Sequence, residues 1–177
     1  MINDKIAHLL FEDESMIRDY QAIQRTWFLK GKQRIIPTHG QHRGVKLIAT
    51  LDYETGEVFC VEEERYDAIT FKEFLTKVLA HYPVGKIVMI LDNARIHHAK
   101  LLQPFLEENL HRLKLVFLPP YSPQLNLVEG LWKWLKESVI NNVFFPSIQK
   151  IILKVREFIR DVNQRLDEVV DRLCVRL

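Results

Sequence analysis

Cysteine is scarce in this chain: two residues in 177, Cys60 and Cys174. Neither has metal-ligand spacing, and together they make no disulfide framework, so both are expected as thiols in a reducing cytoplasm. Long apolar runs are missing too. Nothing approaches the roughly 20 residues needed to span a bilayer, and the N-terminus MINDKIAHLLFEDE places acids where a signal peptide keeps an uncharged core. Membrane and export functions are therefore not expected. A strong net charge is also lacking: +2 at a pI near 8.5 permits nucleic-acid binding without demonstrating it. Acid is absent locally, since residues 25–46 carry six Lys or Arg and no Asp or Glu. That run is either a solvated face or a surface that meets phosphates.

What remains is an ordinary globular composition, 47% apolar, with no repeat, low-complexity tract or linker, and one domain is the economical expectation. Residues 6–12 (IAHLLFE) predict a short buried strand that ends in Glu12-Asp13-Glu14. Trp27 and Phe28 are expected to anchor the next segment to the core, and QRII at 33–36 predicts a second strand. Val45–Leu51 and Val58–Glu62 predict a hairpin around Glu54-Thr55-Gly56-Glu57. Thr70 with Glu73 reads as a capping box for a helix whose stripe is Phe71, Phe74, Leu75, Val78 and Leu79. KIVMILD (86–92) predicts an interior strand, followed by a helix over about 98–109, a strand at 113–118 and a helix from Asn126 to about Ile140. Beyond Pro146, Ser147 caps a final helical tail that packs on the domain or on a partner. Antiparallel strands first, then alternating helices and strands, predict an α/β fold with a mixed sheet flanked by helices.

Three acids stand where such a fold gathers ligands. Asp13 closes the first predicted strand, Asp92 closes the apolar one, and Glu129 begins a helix after the proline-braced turn LPPYSPQLN. Convergent carboxylates without a required Cys or His suit hard cations such as Mg²⁺ or Mn²⁺, and a pair of such ions serves phosphoryl transfer. On residues alone each acid also has a plainer use. Asp13 is one of three solvated acids, Asp92-Asn93 starts a turn, and Glu129 caps the backbone of Asn126.

The segments FEDES (11–15), LDNARIHHAK (91–100) and LPPYSPQLNLVEGLWKWLK (118–136) together resemble the catalytic domain of IS630/Tc1/mariner transposases, DDE endonucleases with a ribonuclease-H-like fold. The 36 residues between Asp92 and Glu129 look like that family's separation. The resemblance implies that Asp13, Asp92 and Glu129 are catalytic residues binding Mg²⁺ or Mn²⁺, two ions in all. It further implies DNA as partner, cleavage at transposon ends, strand transfer into target DNA, and a homo-oligomer. Two departures stand out. Asn126-Leu127-Val128-Glu129 replaces the family's N-P-x-E, which leaves cap and acid in register. The helix-turn-helix region expected before the first catalytic strand is also missing from 1–177, so end recognition is expected either to be lacking, as in a truncated copy or fragment, or to come from a separate polypeptide, with 1–177 a single catalytic domain whose helical tail starts at about 147.

Around the triad, Asn93 and Asn126 are candidates to orient the carboxylates. Arg95, Lys133 and Lys136 are candidates for phosphate contacts. His97, at the family's histidine position, is expected to orient a loop or touch DNA. Zinc at His97-His98 is disfavoured, because adjacent histidines diverge and no third soft ligand is near in sequence. Trp134 is expected in the core with Leu131 and Leu135, leaving Trp132 to stack on a base or cover a neighbouring segment. A ribonuclease-H-like nuclease without strand transfer, and an idle remnant that binds DNA or a partner chain, remain the alternatives.

Overall fold

The structure, a computed structural model, describes residues 5–18, 27, 29–32, 35–37, 43–120 and 122–174. Its centre is one five-stranded sheet in the order β3-β2-β1-β4-β5, made of β1 (Ile6–Arg18), β2 (Gly44–Asp52), β3 (Val58–Glu63), β4 (Lys86–Leu91) and β5 (Leu113–Phe117). β1 runs antiparallel to β2, β2 to β3, and parallel to β4, which is parallel to β5. The hairpin closes at Gly56, whose φ of +76° is the left-handed conformation that glycine tolerates best. This is the expected mixed sheet flanked by helices, the ribonuclease-H-like arrangement.

The first strand differs from its expected length. β1 does not stop at the acids but runs through them to Arg18, with Asp13 opposite Ala49 and Glu14 opposite Ile48 of β2. On its other side the parallel pairing with β4 ends at Phe11 and Ile90. From Glu12 onward β1 therefore has a sheet neighbour on one side only, and carboxylates become tolerable in mid-strand. Alternation then divides them. Leu10, Glu12 and Glu14 share one face, while Phe11, Asp13, Ser15 and Ile17 share the other.

Each face has its own core. On the Glu12 face, α1 (Ala68–His81) buries Phe71, Phe74, Leu75 and Val78 against Leu10, Ile48, Ile87 and Met89, as the apolar spacing predicts. Its cap is Asp67, which accepts from the backbone N–H of Ile69 and Thr70; Thr70 lies inside the helix, so the cap stands three residues before the predicted one. On the Asp13 face, α3 (Leu127–Leu135), α4 (Ile148–Asn163) and α5 (Leu166–Leu173) pack together over Phe11, Ile17, Leu47 and Leu51. The C-terminal helices thus cover the domain itself. Ser147 caps α4 as expected, and Asn163 near its end bonds both the N–H and the C=O of Val58 at 2.8 Å.

Three further expectations change. The predicted helix at 98–109 is two short 3₁₀ turns, Arg95–His98 and Lys100–Leu102, followed by α2 (Gln103–Glu108). Trp27 is 99% exposed and anchors nothing among the described residues, while Phe28 lies outside them. Ile35 and Ile36 belong to no strand, and Gln33 and Arg34 of that predicted strand lie outside the described residues. A chain that leaves β1 at Arg18 and returns at Gly44 as its antiparallel neighbour needs no intervening strand to complete the sheet.

Candidate functional site

At the carboxyl ends of β4 and β5, beside the stretch where β1 outruns β4, lies an open cavity of about 430 Å³. Asp13, Asp92 and Glu129 line it, with Asn93, Asn126 and the rigid wall Leu118-Pro119-Pro120. The three acids reach it from three elements. Asp13 comes from mid-β1, Asp92 from the residue after β4, and Glu129 from the first turn of α3. Asp92 and Glu129 are exposed and Asp13 is half-buried.

The start of α3 is fixed by Asn126. Its Oδ1 accepts from the N–H of Val128 at 3.2 Å as an N-cap, and its Nδ2 donates to the backbone oxygen of Glu12 at 2.7 Å. One side chain thus caps the helix and ties it to β1 next to Asp13. Among the described residues no hydrogen bond runs from the Asn126 N–H back to the Glu129 carboxylate, so the capping-box use of Glu129 is not made and its carboxylate faces the cavity. Asp92 does serve its own turn, accepting from the N–H of Ala94 at 2.8 Å through Oδ1. Asn93 lines the cavity and braces its floor: its Nδ2 donates to the Leu118 carbonyl and its Oδ1 meets His98 Nε2 at 3.2 Å. That links the ends of β4 and β5.

Trp132 is the residue that sequence reasoning misplaced. Both tryptophans of α3 are buried. Trp134 packs edge-on to Phe158 with ring centroids 5.5 Å apart, while Trp132, only 2% exposed, donates its indole N–H to Asp13 Oδ2 at 2.9 Å. The helix faces the sheet on one side and α4 and α5 on the other, so opposite tryptophans both find cover. Trp132 lies three residues beyond Glu129, hence on the same helix face, and that spacing is the signal that points to it.

His97 is buried behind Asp92, where it orients that turn. Its Nδ1 bonds the Asp92 backbone oxygen at 3.3 Å and lies 3.1 Å from Asp92 Oδ1. Its Nε2 meets Glu14 Oε1 at 3.3 Å. So Glu12 and Glu14, absent from the predicted site, stand directly behind it. Arg95 and Lys133 are exposed and Lys136 is half-buried, and none of the three lines the cavity.

The electrostatics are those of an uncompensated acidic site. Burial, then the charges of Glu129 and Glu14, push Asp13 up to about 7, against the pull of the Trp132 hydrogen bond. Burial pushes Glu12 well above the carboxylate range, with Glu14, Asp13 and Asp92 adding to it. Burial works to lower His97, but the hydrogen bond and charge of Glu14, with Asp92, outweigh it and raise the imidazole. An oxygen-only donor set whose members repel one another fits hard divalent cations.

The fold and site define a class: a nuclease-like domain that gathers acids at the switch point of a ribonuclease-H-like sheet. The sequence profile of the DDE superfamily endonuclease family matches residues 8–152, and the chain belongs to that family, in its IS630/Tc1/mariner branch. It is 33% identical over 156 residues to the insertion element IS630 uncharacterized 39 kDa protein of Shigella sonnei, covering 88% of this chain and 45% of that one. The fold resembles the Mos1 transposase paired-end complex with left transposon end (TM-score 0.66, 16% identity, 94% of this chain and 55% of that chain). A mariner Mos1 paired end complex with Mg gives a TM-score of 0.64 at 15% identity, over 96% and 56% of the two chains. The chain spans about half the length of the curated relatives it matches.

Proposed function

We propose that this chain is a transposase catalytic domain that cleaves DNA at transposon ends and joins them to target DNA, with Asp13, Asp92 and Glu129 as its metal-binding catalytic residues. The observation that carries this reading is one cavity lined by three carboxylates from three separate elements, at the carboxyl ends of parallel strands. Two ions held by such a set would serve both the cleavage and the joining step. When bound, Mg²⁺ or Mn²⁺ would activate an attacking water or 3′-hydroxyl and stabilise the leaving oxygen of the phosphodiester. The chain's own work is positional. Trp132 fixes one oxygen of Asp13, Asn126 holds Glu129's helix to β1, and His97 holds the Asp92 turn. Arg95, Lys133 and Lys136 are assigned to phosphates flanking the reacting bond, where they position DNA without reading its sequence. Recognition of ends by a helix-turn-helix unit and pairing of two ends by a homo-oligomer belong to the same proposal.

Incubating the protein with pre-cleaved transposon ends, Mg²⁺ and a supercoiled plasmid tests it. Covalently joined ends are expected from the wild type and not from Asp92→Asn. Nicking without joining would replace the proposal with a simple nuclease, and equal Mn²⁺ binding by wild type and Asp92→Asn would point to an idle domain.

A further inference from the structure

On the face of β1 turned away from the cavity lies a set of ligands that the proposed chemistry leaves unused. Glu12, Glu14 and His97 each offer one ligand atom, and these atoms all lie within 4.8 Å of one another. His97 Nε2 is 3.3 Å from Glu14 Oε1 and 3.8 Å from Glu12 Oε2. Glu12 is fully buried, and among the described residues neither of its carboxylate oxygens has a hydrogen-bond partner. An ionised carboxylate in that setting is strongly disfavoured unless a proton or a cation meets it.

The imidazole says where that positive charge must lie. Nδ1 faces the Asp92 carbonyl oxygen and carboxylate, which only accept, so Nδ1 carries the ring proton. Nε2 faces two glutamates that also only accept, so the positive charge on that edge is supplied either by a second ring proton or by a metal ion that takes its place. Ligands held by one metal at about 2.0–2.2 Å sit roughly 3–3.6 Å from each other; Glu14 Oε1 at 3.3 Å from Nε2 falls within that range and Glu12 Oε2 at 3.8 Å just beyond it. A histidine whose second nitrogen donates to a carbonyl or carboxylate is also the usual setting of a metal-bound imidazole.

We propose that Glu12, Glu14 and His97 bind one divalent transition-metal ion of the Zn²⁺ or Mn²⁺ kind, separate from the ions of the carboxylate cavity. One nitrogen and two carboxylates favour such an ion over Mg²⁺, which prefers oxygen alone. Glu14, 14% exposed, is the side open to solvent. Through Nδ1 of His97 the bound ion ties β1 to the turn that carries Asp92. The site stands whether or not the cavity performs strand transfer.

The full chain, stripped of metal by a chelator, is titrated with Zn²⁺ by calorimetry in excess Mg²⁺, with circular dichroism melts to check folding. One Zn²⁺ per chain is expected in the wild type and in Asp13→Asn/Glu129→Gln. His97→Gln and Glu14→Gln are each expected to weaken it by about a hundredfold or more. Where His97→Gln unfolds, Glu14→Gln at its partly exposed position decides alone. Absence of Zn²⁺ binding by the folded wild type, or binding unchanged in Glu14→Gln, overturns the site and leaves protons to balance the cluster. Loss of the ion in Asp13→Asn/Glu129→Gln overturns it equally, by placing the zinc in the cavity.

Discussion

Glu12 and Asp13 are neighbours in sequence, yet the pleat sends them into different environments. Asp13 opens onto the cavity, half-buried, with Trp132 on one oxygen. Glu12 is sealed beneath α1, with no hydrogen-bonding partner among the described residues and His97 3.8 Å away. The same tripeptide thus supplies a half-buried acid to the cavity face and, to the other, a fully buried Glu12 beside a half-buried Glu14. Asp92 joins the two, since its carboxylate lines the cavity while His97 reaches it from behind. The cavity face is open to ions and substrate, whereas the other face meets solvent only at Glu14. If that contrast governs function, removing the cavity acid should have the largest effect of any single change. Asp13→Asn keeps shape and the Trp132 contact region but deletes a charge, and joined-product yield should fall by about a thousandfold or more. Residual joining within about tenfold of wild type would sink the assignment of Asp13.

The contrast sharpens at Trp132. Phenylalanine there keeps most of the buried ring and removes only the N–H that holds Asp13. A hydrogen bond to a charged group is worth about 1.5–3 kcal/mol, so Trp132→Phe should lower the joining rate by roughly 10- to 100-fold. Because that bond pulls the Asp13 pKa down, its loss should move the rising limb of the pH–rate profile to higher pH. A purely structural tryptophan would lower the melting temperature and leave the profile where it was.

Much of this wiring was legible in the chain and some could not be. Asp92-Asn93 directly after an apolar strand, and Glu129 three residues past an N-cap, are local patterns, and both fall at the cavity, although spacing alone could not show that they converge. The full run of β1 was hidden because acids normally end strands, while the partner that holds them, Ala49 and Ile48 of β2, lies over thirty residues on. The cluster on the other face was hidden for the same reason. Glu14 and His97 are 83 residues apart, and only the fold brings the imidazole to the strand. Trp132 shows a subtler limit. Helical periodicity places two tryptophans on different faces but does not say that a helix has cover on both.

Metal-free protein offers a thermodynamic view of the cavity face. Asp13 stands raised to about 7 from 3.8, so the folded state holds its proton where the unfolded chain has lost it. That contribution is fully present below about pH 4 and is lost as pH rises through about 7. Between pH 6 and 8 the loss amounts to about 1.4 kcal/mol, or a fall of about 3–5 °C in melting temperature. Asp13→Asn should remove this part of the slope, and saturating Mg²⁺ should oppose it, because the ion takes the place of the proton. A metal-free melting temperature equally steep in pH for Asp13→Asn would transfer the whole effect to Glu12.

The smallest effect separates the faces by salt. If DNA lies over the cavity, an exposed cation on α3 meets phosphate and one on α1 does not. Lys133 is exposed one turn beyond Glu129, whereas Lys77 on α1 pairs with Glu63 at 2.6 Å. Each phosphate contact contributes about one to the slope of log affinity against log salt. Lys133→Ala should therefore weaken duplex binding only a few-fold at moderate salt while reducing that slope by about 1. Lys77→Ala should leave the slope alone, its ion pair being a surface one worth about 1 kcal/mol or less to the fold. Fluorescence anisotropy at a series of salt concentrations resolves the difference even where single affinities overlap. Equal slopes for both variants would mean that DNA does not lie along the Glu129 face of α3, and the cavity would have to take its substrate from the side of Pro119 and Pro120 instead.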